Sequence, residues 1–184
     1  MDATDEQLVA DYRSGSSDAF ETLYERYVRR LYDFVYFKTH HRETAEDIVS
    51  QTFLQAFQNL GTFDSDRGVF SAWIHRIARN LTFDHFRAMK LSVPIDDAWD
   101  IPSNADVARD ADATLKVEKV RAYLQTLSPD QREIILLRLW QDLPFKEIAA
   151  ITGKSEAACK MAYKRGTERL RDELLIAFLL LFLS

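Results

Sequence analysis

Apolar residues recur along most of this chain at the three- and four-residue spacing of a helix, and no stretch alternates long enough to suggest a strand. Leu8, Val9 and Tyr12 begin the pattern behind Thr4, whose partner Gln7 three residues on predicts a capping box. A second helix is expected over 18–38, on a stripe of Phe20, Leu23, Tyr24, Tyr27, Leu31, Phe34 and Val35. A third, over 44–60, uses Ile48, Phe53, Phe57 and Leu60, and a fourth runs over 69–90. The polar run 61–68 between them reads as a loop. Periodicity lapses over 91–112, where Pro94 and Pro102 stand among small and acidic residues, as in a flexible linker. It resumes before Ser128-Pro129-Asp130-Gln131, which combines a Ser cap, Pro in the first turn and Gln at the capping-box position.

The pattern therefore predicts an all-α protein of two small helical domains, over 1–90 and 113–173, joined by the acidic linker and followed by an apolar tail over 174–184. The second domain ends in two short helices pivoting on a glycine. Leu143, Ile148, Ala149 and Ile151 supply apolar positions of the first, Thr152-Gly153 the turn, and Ser155 the cap of the second. That last helix carries Lys160, Lys164, Arg165, Arg169 and Arg171. A helix-turn-helix with a basic second helix usually lays it in the DNA major groove, although plain helical hairpins also turn on glycine.

With 47% hydrophobic and 12% aromatic residues among 184, the chain can bury a core, which excludes wholesale disorder. Its single Cys, Cys159, excludes an internal disulfide framework and reads as a small core residue. No cleavable leader is evident, so a cytoplasmic location is expected. The net charge of −5 argues against nucleic acid until its distribution is considered. Residues 88–114 hold two Lys/Arg against six Asp/Glu, whereas 115–184 hold twelve against nine. A basic helix in an acidic chain still finds phosphates, but another protein is needed to bring it to DNA.

In the fourth helix Phe70, Trp73, Ile74, Ile77, Leu81 and Phe86 are spaced mostly toward a core, while Arg76, Arg79, Asn80 and Arg87 form a cationic side. Aromatics beside cations suit single-stranded bases, and an ordinary amphipathic helix has the same pattern.

The runs AEDIVSQTF at 45–53 and FSAWIHRIARN at 70–80 resemble the second region of extracytoplasmic-function sigma factors of the sigma-70 family. LSPDQR at 127–132 and the helix-turn-helix with FKEIA at 145–149 resemble that family's fourth region, in the same order and across a comparable linker. The resemblance implies a non-enzymatic, two-domain subunit that binds core RNA polymerase and directs it to promoter DNA, with an anti-sigma factor as a further potential partner. It assigns polymerase docking to Asp47, Ile48, Gln51, Thr52 and Phe53. It assigns recognition and melting of the minus-ten element to Phe63, Arg67, Ser71, Arg76, Arg79 and Asn80. Reading of the minus-thirty-five element falls to Lys154, Ser155, Glu156, Lys160, Met161, Lys164 and Arg165. No catalytic residue, metal or cofactor is implied.

Against the family pattern, Thr52 follows Gln51 where an acid is common, and Ala162 stands where Arg is usual. The alternative function is a free-standing helix-turn-helix regulator, which would need its own dimer interface and DNA affinity. A metalloenzyme is a weaker rival, because His40, His41, Glu43 and Asp47 lack the paired i, i+4 histidines of a metal-binding helix. The tail's ten apolar residues, 174–183, cover about 15 Å of helix, half of a hydrocarbon core about 30 Å thick. Packing on the chain itself or on a partner is expected of it, in place of a membrane span.

Overall fold

The computed structural model describes residues 3–89, 124 and 126–183, the side chains of 170 and 172–183 excepted. Among these, seven helices and no strand are present: α1 Asp5–Arg13, α2 Ser17–Thr39, α3 Arg42–Asn59, α4 Phe70–Ala88, α5 Pro129–Leu139, α6 Phe145–Thr152 and α7 Glu156–Leu183. A single 3-10 turn, Leu60–Thr62, follows α3. The expected linker, 91–112, lies outside the described residues.

Local chemistry sets the helix ends. Thr4 and Gln7 form the expected capping box, as do Ser128 and Gln131, with Pro129 in the first turn of α5. α2 stops at His40, which takes a left-handed conformation at φ 47° and donates its N–H to Tyr36 O at 2.8 Å. The His41 ring then accepts the Thr44 N–H and starts α3. α6 stops at Gly153, whose φ of 73° glycine adopts without a Cβ clash.

α1 to α4 bury Leu23, Leu31, Val35, Phe53, Leu60, Phe70 and Ile74 in a common core. Asp5 anchors α1 to α2 by accepting from Arg26 and from the Tyr27 hydroxyl. Burial, together with the Asp5 carboxylate, pushes the Tyr27 phenol well above its ordinary pKa.

The second half does not stand apart. Ile134, Leu137, Leu143, Ile148, Ile151 and Cys159 belong to the same continuous core as α1 to α4. α6 packs along α4, and Gln141, just after α5, donates to Arg30 O on α2 at 3.1 Å. A smaller cluster of Leu124, Leu127 and Ile135 completes the second half, where α5 and α7 approach closely at Gly166. α7 continues unbroken through the apolar tail to Leu183, and the packing expected of the tail side chains lies outside the described residues.

Candidate nucleic-acid interface

The loop between α3 and α4 is built from both ends. The Phe63 N–H closes the 3-10 turn on Leu60 O at 3.2 Å, and the Asp64 carboxylate accepts the Asp66 N–H at 3.0 Å. From α1, Arg13 donates to Leu60 O at 3.2 Å and also to Phe63 O, tying the start of the loop to the first helix. Nothing in the spacing of Arg13 signals this role, because its partners lie 47 and 50 residues away. The Phe63 ring meets those of Phe70 and Trp73 at 5.9 and 5.4 Å. Above this aromatic floor is a cavity of about 210 Å³, lined by Thr62, Phe63, Asp64, Arg67, Gly68, Trp73, Arg76 and, from α6, Ala150.

Arg67, Arg76 and Asn80 are exposed. Phe63 is buried and forms part of the cavity floor, whereas Ser71 is buried outside the cavity lining. Trp73 is half-buried between the two roles. Arg79 turns away from the cavity, with Nε 3.1 and 3.2 Å from the two carboxylate oxygens of Glu133 on α5 and Nη2 3.2 Å from the second. In this conformation Arg79 is occupied by the other half of the chain.

His75, one turn after Ser71, is wholly enclosed. Its Nδ1 donates to Ser71 O at 2.8 Å, its ring lies edge-on to Tyr27 and Phe34, and Gln141 lies beside it. Burial pushes its pKa down to about 4, although the Ser71 and Gln141 oxygens favour the charged form. Periodicity alone gave His75 no role.

On α3, Asp47 and Gln51 are exposed and share a face. Ile48, Thr52 and Phe53 are 3%, 0% and 6% exposed, so the direct docking contacts expected of them are corrected to core packing. Thr52 donates its hydroxyl to Ile48 O at 2.7 Å, and its position is interior, unsuited to the acid anticipated there. Conversely Phe57, read as a core position, is 50% exposed and Leu54 57%, adding apolar surface beside Asp47 and Gln51. Phe57 touches Tyr12 and Phe20 with only one edge, at 5.8 and 5.1 Å.

In the helix-turn-helix, α6 begins after Pro144, leaving Leu143 buried just outside the helix expected to contain it. Ser155 accepts the Ala158 N–H at 3.1 Å, as a cap of α7 should. Glu156, Lys160, Met161, Lys164 and Arg165 are exposed, while Cys159 is buried beneath them. Lys160 pairs with Glu156 at 2.6 Å, and Lys164 lies 3.9 Å from Glu168. Such exposed pairs contribute little and yield readily to phosphate. Lys154 reaches back to Asp130 at 2.6 Å, so it braces α5 against the turn.

The chain matches the family profile Sigma-70 region 2 over residues 23–90 and Sigma-70, region 4 over 118–170. It is 34% identical over 167 residues to the ECF RNA polymerase sigma factor BldN of Streptomyces coelicolor, covering 89% of this chain but 63% of that relative. To the RNA polymerase sigma factor CarQ of Myxococcus xanthus it is 32% identical, covering 88% of this chain and 92% of CarQ. The ECF RNA polymerase sigma factor SigW of Bacillus subtilis is 28% identical, with 95% and 98% covered. Among solved structures, CnrH in complex with the cytosolic domain of CnrY is similar at a TM-score of 0.70 and 28% identity, over 94% of this chain and 97% of that one. The sigma factor RpoE in complex with the anti-sigma factor NepR, from Bartonella quintana, is similar at 0.68 and 25%, over 85% and 97%. With both regions in order on one helical chain, this protein belongs to the extracytoplasmic-function sigma factors of the sigma-70 family.

Proposed function

We propose that this sigma factor docks on core RNA polymerase through the exposed face of α3 and directs initiation by reading two promoter elements. One observation carries the reading: an aromatic-floored, arginine-rimmed cavity and an exposed basic helix behind a glycine turn occur on the same chain. Asp47 and Gln51 give the docking face its polar contacts, and Leu54 with Phe57 give it apolar area. Extruding a base costs a few kcal/mol, which stacking and hydrogen bonding in a fitted pocket offset. The cavity above Phe63 and Trp73, rimmed by Arg67 and Arg76, has the composition for it. Arg79 and Asn80 would hold the displaced strand. Lys160, Met161, Lys164 and Arg165 would meet the upstream element, with Ser155 and Glu156 nearest the bases at the helix start.

An acidic chain finds DNA poorly by itself, so polymerase supplies the targeting, and the working place is the cytoplasm. Among the described residues no helix is long and apolar enough to cross a membrane. The anti-sigma factor bound to the Bartonella neighbour supports such a protein as a further partner here.

Transcription reconstituted from core polymerase and a promoter library tests the reading. Promoter-specific transcripts that require this chain are expected. Sequence-specific DNA binding by the chain alone, with no stimulation of polymerase, would favour a free-standing regulator.

A further inference from the structure

The floor and the rim of the base cavity meet at one residue. Phe63 ends the 3-10 turn and leaves it extended, at φ −60° and ψ 132°. Its ring is fixed by Phe70 and Trp73, at 5.9 and 5.4 Å. The next turn is closed on itself: Asp64 O accepts the Arg67 N–H at 3.2 Å, and the Asp64 carboxylate accepts the Asp66 N–H at 3.0 Å and pairs with Arg67 Nε at 3.2 Å. Asp64 and Arg67 therefore move as a unit, and ψ at Phe63 sets where they stand over the floor.

Arg13 controls that torsion from α1. Its Nη2 carries two hydrogens, one for Leu60 O at 3.2 Å and one for Phe63 O, so a single guanidinium nitrogen grips both ends of the 3-10 turn. With the ring and the carbonyl of Phe63 both held, rotation about its ψ is stopped. α1 is a firm base for the grip, because Leu8 and Val9 are buried, Asp5 accepts from Arg26 and the Tyr27 hydroxyl, and Tyr12 packs on Phe20 at 5.8 Å. Those contacts attach α1 to the fold independently of Arg13. Arg13 also precedes the stretch matched by the region 2 profile, 23–90, so the family likeness assigns it nothing.

We propose that Arg13 is a positioning residue of the base cavity: by holding Phe63 O it presets Asp64 and Arg67 against the aromatic floor, so that an unpaired base of the minus-ten element is captured without first ordering the loop. The inference rests on the base-capture reading above. It adds a residue that touches no DNA yet decides how tightly one base is held. Groups that grip a ligand must stand within about 10–20° of their working geometry, and ordering them at the moment of binding costs affinity. Without Arg13 the Phe63 carbonyl turns to water and the rim rocks about Phe63.

A merely structural arginine would lower the affinity for every strand alike, whereas a positioning one is coupled to a single base. The test uses the full chain assembled with saturating core polymerase. Its probes are single-stranded non-template oligonucleotides across the minus-ten element of a promoter recovered from the library, each base replaced in turn by an abasic site. Affinity is read by fluorescence anisotropy. For wild type, one abasic position should cost roughly tenfold, the worth of one stacked base. On the intact strand Arg13→Ala should also lose about tenfold, in line with one hydrogen bond from a charged donor. On the strand abasic at that position the same variant should lose less than about twofold, while abasic sites elsewhere leave its full loss in place. If Arg13→Ala loses helical signal, Arg13→Lys is read by the same criterion, since it keeps the charge at the end of α1 and gives up the two-pronged grip. Equal losses on intact and abasic strands, or no loss on either, would overturn the role of Arg13 and leave base capture standing. A wild type indifferent to every abasic site would overturn base capture itself, and the positioning role with it.

Discussion

Replacing His75 by Phe should remove most of this protein's sensitivity to mildly acidic pH. The imidazole is fully enclosed, and its pKa falls from the ordinary 6.5 to about 4. In the unfolded chain it takes up a proton near pH 6.5, while in the folded chain it does not, so falling pH favours unfolding. The sign is fixed by the depressed value: stability is full above pH 6.5 and is lost as pH drops toward 4. At 1.36 kcal/mol per pKa unit, the loss between pH 7.5 and pH 5 comes to about 2 kcal/mol. Phe keeps an aromatic ring against Tyr27 and Phe34 and cannot titrate. It forfeits the Nδ1 bond to Ser71 O, which lowers stability at both pH values equally. Urea unfolding of wild type and His75→Phe at the two pH values measures the double difference, from which common carboxylate effects cancel. Equal losses in both proteins would refute the burial argument.

Gly166→Ala should destabilise the second half by about 1–3 kcal/mol in thermal unfolding, because the new Cβ would lie 2.6 Å from Ile135 Cδ1; Ile135→Val should recover part of the loss, and an unchanged Tm would contradict the close approach. Asp47→Ala with Gln51→Ala should weaken capture of core polymerase at least tenfold while circular dichroism stays unchanged, since both side chains are exposed and unburdened by packing. Lys160→Ala should lower the salt slope of promoter binding by about one unit; an unaltered slope would remove this lysine from phosphate contact.

The sequence by itself determined the helices and their ends, because both depend on residues three or four apart. Thr4 with Gln7, Ser128 with Pro129 and Gln131, and Gly153 before Ser155 each carry their partner within one turn. The exposed basic face of α7 was legible for the same reason. Periodicity separates a polar face from an apolar one, but it cannot say what meets the face. Only the tertiary structure decided that Arg79 is held by Glu133, 54 residues on, and Lys38 by the same carboxylate 95 residues on. It likewise turned Ile48, Thr52 and Phe53 inward and left Phe57 half outside, because burial depends on where α2 and α4 lie across α3. Long-range contacts are set by the packing of whole helices, and the spacing within any one of them does not encode its neighbour.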